Sequence, residues 1–357
     1  MKLLIITQKV DIKDSILGFF HEWIERMAQK AEMVYVICLY EGEHHLPDNV
    51  EVFSLGKEKG KSRVKYIFNL YRYFFNLAGK IDIIFVHMNT IYVVLLGPLA
   101  KLFGIPLAHW KVHKGEIPFF NTAIMLADKI ITVSKESLEY ETSKKVTVGH
   151  GVDTDFFVPP SERPSKEKKE IITIGRISPS KNQKALIEVA DILVNQKGVR
   201  DIKFKIVGPA FTEKQKEYLA SLQEIVKDKN LEEFVDFVGP VTHEETLNYY
   251  QGADLFVSFC NTTGLDKVLL EAMSCGTVIF TSQDTLVPFL GDYREKLIVE
   301  DEDYNQAADR IQELINLSPE ERKKIGLYLR EVVKKYHALD RLIEKLFNEF
   351  GELIHAR

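Results

Sequence analysis

Thr262-Thr263-Gly264-Leu265-Asp266-Lys267-Val268-Leu269-Leu270-Glu271-Ala272-Met273-Ser274-Cys275-Gly276 follows the apolar run Leu255-Phe256-Val257-Ser258-Phe259. The apolar run reads as a buried parallel strand. The glycine-bearing loop feeds a helix that begins near Lys267 and stops at Gly276, since glycine is the usual residue just past a helix end. Strand, loop and helix start together place a polar site at the carboxyl edge of a sheet, where outward-pointing N–H groups bind anions or hydroxyls. Glu271 sits early in that helix, where a carboxylate is favoured and can accept from two neighbouring hydroxyls; its plainer reading is a helix cap.

Apolar strand-like runs alternate with helical patterns along the whole chain. The spacing predicts strands at Leu3–Thr7, Met33–Leu39, Ile81–His87, Leu107–Trp110 and Lys129–Val133, and helices from about Gly18, over Ile91–Phe103 and over Ile117–Ala127. A break follows at residues 158–170, rich in proline and charge, which reads as an exposed linker. The alternation restarts at Ile171–Ile174 and continues with strands at Lys203–Val207, Val235–Val238, Leu255–Phe259 and Thr277–Thr281, before a strongly helical end. This pattern predicts two doubly wound α/β domains, residues 1–160 and 168–335, with ligands bound at the carboxyl ends of their strands in a cleft between them. With 357 residues, 45% of them hydrophobic, the chain can bury two ordinary cores. A net charge of −5 gives no sign of a nucleic-acid binder. Cys38, Cys260 and Cys275 lack metal-ligand spacing and read as buried, reduced thiols. No apolar run approaches the ~20 residues of a membrane span, and Met1–Thr7 reads as a strand rather than a signal peptide.

Further segments carry chemistry. Gly175-Arg176-Ile177-Ser178-Pro179-Ser180-Lys181 lies just after a strand, with Ser178-Pro179 suited to cap and open a helix. Two fixed cations beside free N–H groups suit a diphosphate leaving group; otherwise Arg176 and Lys181 are solvated surface cations. His109 and His113 fall at the end of another strand, where a histidine either lines a site or serves structure. The segments ending at Gly208 and at Val238-Gly239 close two more strands, and Gly18 stands at a helix start. Residues 57–80 interleave cations with aromatics, which suits either a core helix with a solvated face or an amphipathic helix touching an anionic membrane.

The Gly175-Arg176…Lys181 spacing and the Gly264–Gly276 segment, most specific in the second half, resemble the retaining glycosyltransferases of family 4. Val148-Gly149-His150-Gly151-Val152-Asp153 is similar to that family's Asn-Gly-Val-Asp segment, with His150 in place of the Asn. The resemblance implies a GT-B fold whose last helix, about residues 338–357, crosses back to the first domain. It implies transfer of a sugar from a nucleoside-diphosphate sugar to a glycan or lipid-linked acceptor with retention of configuration, in the cytoplasm, without metal or other cofactor. Arg176 and Lys181 would clamp the diphosphate, Glu271 would hold the ribose, and His113 would face sugar and acceptor, with His109 second. Gly18, Gly175, Gly208, Val238, Gly264, Leu265 and Lys267 would line the donor. The family's first glutamate, eight positions before Glu271, is Thr263 here, which leaves Asp266 and Lys267 to supply sugar contacts. That substitution also suggests a nucleotide-sugar binder with degraded catalysis, and another activity on the same fold, such as an epimerase, is the rival among enzymes.

Overall fold

In the first strand, Leu3 and Ile5 turn to one face of a sheet and Leu4 and Ile6 to the other, all four fully buried. A strand apolar on both faces requires cover on both, and this sets the architecture. The computed structural model describes residues 1–357 except Ser15, Lys61, 113–117, Glu136, Glu139, 163–165, 262–263, 300–302 and Arg357. His113 and Thr263 therefore lie outside the described residues. The chain divides into two compact units, Met1–Gly151 with Leu339–Arg357, and Val152–Ala338.

In the first unit the strands are β1 (Lys2–Val10), β2 (Met33–Glu41), β3 (Val50–Ser54), β4 (Ile83–His87), β5 (Leu107–Trp110), β6 (Lys129–Thr132) and β7 (Lys145–Thr147), all parallel, in the order 3-2-1-4-5-6-7. Helix α1 (Phe19–Lys30) packs on one face together with the C-terminal helix Leu339–His355. The latter buries Leu339, Leu342, Ile343, Leu346 and Phe350, one helical stripe. Helices α2 (Arg63–Leu77), α3 (Thr90–Leu102) and α4 (Phe120–Leu126) cover the other face. The edge strands β3 and β7 escape the pattern reading because they are short and only half-buried, so neither shows a continuous apolar run.

In the second unit, β8 (Lys169–Ile174), α5 (Gln183–Asp191), β9 (Ile202–Val207), α6 (Glu213–Asp228), β10 (Val235–Gly239), α7 (His243–Gly252), β11 (Leu255–Ser258), α8 (Lys267–Ser274) and β12 (Ile279–Thr281) form a parallel sheet in the order 10-9-8-11-12. The short helices α9 (Val287–Leu290) and α10 (Arg294–Leu297) and the longer α11 (Tyr304–Ile315) and α12 (Pro319–Tyr336) complete it. In both sheets the strand order reverses beside the first strand, between β1 and β4 and between β8 and β11. The carboxyl ends of those strands are where open α/β sheets bind ligands. Residues 152–160, assigned by composition to the first domain, pack with the second. Phe157 is fully buried in its core and the Arg330 guanidinium donates to the carbonyls of Phe157 and Thr154 at 2.8 and 3.0 Å.

Helix α8 ends as the sequence predicts: Gly276 takes a left-handed φ of +64° and its N–H donates to the Met273 carbonyl at 3.0 Å. α12 crosses α8 closely here, and a Cβ on Gly326 would stand 2.1 Å from the Gly276 carbonyl oxygen. Gly326→Ala should therefore destabilise the chain by about 1–3 kcal/mol. Gly351→Ala, in the C-terminal helix with open space around it, should stabilise by up to ~1 kcal/mol. Urea midpoints compare the two, and equal midpoints would refute the close crossing.

Candidate active site

At the reversal point of the second sheet, the loop after β8 and the loop after β11 are tied by an ion pair between Lys181 Nζ and the Asp266 carboxylate. The lysine stem packs across Gly175, whose absent Cβ would stand 3.5 Å from Lys181 Cε. Burial by itself lowers the Lys181 pKa; the Asp266 charge reverses this, followed by Cys260, and holds the ammonium above its ordinary value against the opposing charge of Arg176. Arg176 is exposed beside it. Ser178 precedes a single 3-10 turn, Pro179–Lys181, and its side chain makes no cap bond. Asn182 then turns left-handed at φ +49°, so α5 starts only at Gln183, later than Ser178-Pro179 suggests. Gln183 does the anchoring: its Nε2 donates to the Arg176 carbonyl at 3.0 Å and its Oε1 accepts from the Ser178 N–H at 3.3 Å.

Gly208 and Gly239 close the neighbouring strand ends. Gly208 N–H donates to the Gly239 carbonyl at 2.9 Å, and a Cβ on Gly208 would stand 2.0 Å from the Gly175 carbonyl oxygen. Gly175, Gly208 and Gly239, at φ +151°, +140° and +86°, thus pack backbone on backbone. Val238 is the extra residue where the β9–β10 register shifts, a bulge that re-aims the end of the strand. Gly264 and Leu265 lead to Asp266, whose N–H donates to Gln283 Oε1 at 3.1 Å. Gln283 Nε2 is buried with no hydrogen-bond partner.

Glu271 is 3% exposed and its carboxylate collects three donors. His243 Nε2 and Lys267 Nζ each lie 3.2 Å from Oε1, and the Tyr250 hydroxyl donates to Oε2 at 2.8 Å. Burial pushes its pKa up, but the Lys267 charge and the His243 and Tyr250 contacts outweigh this and bring it to about 2. Glu271 is therefore no simple helix cap. Tyr250 is fully buried and its hydroxyl is pushed well above its ordinary pKa by burial and by Glu271. His243 and Tyr250 escape sequence reasoning: Thr242 and Glu245 form a capping box that marks the start of α7, but nothing in the pattern links that helix to Glu271.

In the first unit, Gly18 precedes α1 with an ordinary φ of −53°; a Cβ there would stand 2.6 Å from the Asp14 carbonyl oxygen, so the need is for space. His109, at the end of β5, is fully buried and neither ring nitrogen has a hydrogen-bond partner of good geometry, so it belongs to the core. At the reversal point, His87 Nδ1 lies 3.2 Å from Thr7 Oγ1 and its ring stacks on Phe20 at 3.8 Å. Burial lowers both histidines to about 3, so both rings are neutral at physiological pH. Lys111 Nζ donates to the carbonyl of Met88, a residue at φ +67°, at 3.1 Å. Among the described residues no group of three or more His, Cys, Asp or Glu side chains is set to hold a metal ion, and no helix is long and apolar enough to cross a membrane.

Residues 156–332 match the family model of glycosyl transferases group 1. That stretch lies inside the second unit and holds the Lys181–Asp266 pair and the Glu271 cluster. D-inositol 3-phosphate glycosyltransferase of Paenarthrobacter aurescens (strain TC1) is 29% identical over 174 residues, 46% of this chain and 41% of the relative. The human GDP-Man:Man(3)GlcNAc(2)-PP-Dol alpha-1,2-mannosyltransferase is 24% identical over 194 residues, 52% of this chain and 39% of the relative. The chain thus spans about two fifths of the length of these curated relatives. Among solved structures, Anabaena Alr3699/HepE in complex with UDP superimposes with a TM-score of 0.73 at 15% identity, covering 99% of this chain and 100% of that one. Sucrose-phosphate synthase of Thermosynechococcus elongatus gives 0.74 at 17% identity, with the same coverage. These likenesses establish the GT-B fold, two Rossmann-like α/β domains.

The Glu271 cluster predicts a pH dependence. A carboxyl held at about 2 when folded, against an ordinary 4.5, adds stability that is fully present above about pH 4.5 and is lost as pH falls towards 2. Glu271→Gln should flatten that part of the acid limb, measured as urea midpoints from neutral pH downward. Parallel limbs in the two proteins would mean that the carboxylate is not held ionised.

Proposed function

We propose that this chain is a retaining glycosyltransferase of family 4, a hexosyltransferase that uses a nucleoside-diphosphate sugar and a glycan or lipid-linked acceptor. One observation carries the reading: a cationic Lys181 is held at the reversal point of the sheet, beside exposed Arg176, inside the segment that matches glycosyl transferases group 1. As the sugar leaves, negative charge builds on the departing diphosphate. Arg176 and Lys181 meet that charge from fixed positions, so the chemistry needs no metal ion. Asp266 keeps Lys181 protonated and aligned, and Lys267 adds a further cation at the first turn of α8.

Glu271 holds the nucleoside ribose. An ionised carboxylate offers about four lone-pair sites, and three are engaged by His243, Lys267 and Tyr250, which leaves room for a hydroxyl donor. Backbone at Gly175, Gly208, Val238, Gly264 and Leu265, all within the second unit, lines the rest of the donor. By the resemblance to family 4, His113 is the residue expected to contact the transferred sugar and the acceptor. The reading places the enzyme in the cytoplasm, where nucleotide sugars are made.

Thermal shift against UDP- and GDP-sugars identifies the donor, since a ligand at ~100 times its Kd adds about 2.7 kcal/mol of stability. With that donor, Arg176→Ala and Lys181→Ala should each lower turnover by about 10²–10³-fold, read as nucleoside diphosphate released in the presence of acceptor. Near wild-type turnover in both variants would overturn the assignment. Product formed from donor alone would point to an epimerase, and binding without turnover to degraded catalysis. His113→Ala should abolish transfer while nucleotide binding persists; the same phenotype in His109→Ala alone would move the role to His109.

A further inference from the structure

The helices over one face of the first sheet contain no Asp or Glu. Helices α2, α3 and α4 carry Arg63, Lys65, Arg72 and Lys101, in a chain whose net charge is −5. Their inward sides build core through residues such as Leu70, Phe74, Leu96 and Phe120. Their outward side is apolar where solvent ordinarily selects polar groups. On α2, Val64, Phe68 and Phe75 are 81%, 65% and 55% exposed, and their spacing of four and seven puts them on one stripe. The stripe continues onto the end of α3: the Phe75 and Phe103 rings meet edge to face at 6.1 Å, and Leu102 is 78% exposed. Lys101 Nζ donates to the Met125 carbonyl at 2.9 Å and so joins the end of α4, where Met125 is 65% exposed. Lys65 and Arg72, three residues before and four after Phe68, border the stripe.

We propose that this face docks on an anionic lipid surface. The exposed Phe and Leu side chains enter the boundary between headgroups and acyl chains, while the flanking cations meet lipid phosphates. The lack of carboxylates removes the repulsion that the rest of this acidic chain would meet. Charge favours lipid over a second copy of the chain, because a two-fold contact through this face would set the same cations against each other. The proposal does not depend on which reaction the second unit performs.

Co-sedimentation of the full chain tests it, with vesicles of phosphatidylcholine alone and of equal parts phosphatidylcholine and phosphatidylglycerol. Binding should need the anionic lipid and should fall more than about tenfold between ~10 mM and ~1 M salt, as the Debye length drops from about 30 to about 3 Å. Lys65→Gln with Arg72→Gln should weaken it about fivefold for each charge removed, the equivalent of ~1 kcal/mol each. Phe68→Ser with Leu102→Ser should abolish it while leaving the melting temperature unchanged. No binding at low salt, or wild-type binding by both double variants, overturns the proposal. So does a dimer, seen by sedimentation velocity, that Phe68→Ser with Leu102→Ser dissociates without any vesicle binding; the face would then be a contact between copies.

Discussion

The Lys181–Asp266 ion pair fixes the two loops that flank the reversal of strand order in the second sheet. Parallel strands β8 and β11 bring those loops side by side, but the strands do not dictate loop conformation. The pair does so, across 85 residues of sequence. Its side chains keep only 19% and 13% of their exposure, so each charge depends on the other: removing one partner leaves the second poorly solvated and unpaired. Such a pair adds little net stability, and its value lies in holding one geometry. An incoming anion would find the ammonium already oriented and could share it with Asp266, with no reorganisation of the loop.

The first sheet reverses at the equivalent place, between β1 and β4, but fills it differently. There the strand ends present Thr7 and a neutral His87 stacked on Phe20, with His109 fully buried nearby. Lys111 reaches this edge as well, with its ammonium donating to the Met88 carbonyl. The same reversal of strand order therefore carries an ion-paired lysine in one unit and a neutral histidine stacked on phenylalanine in the other, a difference that follows from side chains alone.

The backbone plan was legible because both sheets are parallel and buried on two faces. Runs such as Leu3–Ile6 and Ile83–Val86 have no polar interruption, and each is followed by a helical stripe. Short edge strands such as β7, half-solvated, offered no such run. The positions of Arg176 and Lys181 in the loop after β8 and of Glu271 on α8 were legible from the strand-loop-helix pattern, while their roles rest on the family resemblance. What joins them was not. His243 and Tyr250 reach Glu271 from a different helix, and Asp266, expected to meet sugar, is engaged by Lys181; these are tertiary pairings that no local period encodes. For His109 the structure favours the structural of its two readings: β5 lies between β4 and β6 and the ring is enclosed.

The Glu271 cluster shows why a buried charge is tolerated here. An ionised carboxylate taken out of water carries a desolvation cost of several kcal/mol unless its lone pairs are met. Lys267, one turn earlier on the same helix, supplies a counter-charge without fixing another element in place. His243 and Tyr250 do fix one, because both stand on α7 and so pin α7 to α8. Tyr250 is pinned from its backbone as well, its carbonyl accepting from Thr277 Oγ1 at 2.7 Å. With its ring fully buried, the Tyr250 hydroxyl keeps Glu271 as its acceptor, and the carboxylate is held in one orientation. That rigidity leaves the one remaining lone pair of the carboxylate aimed in a fixed direction.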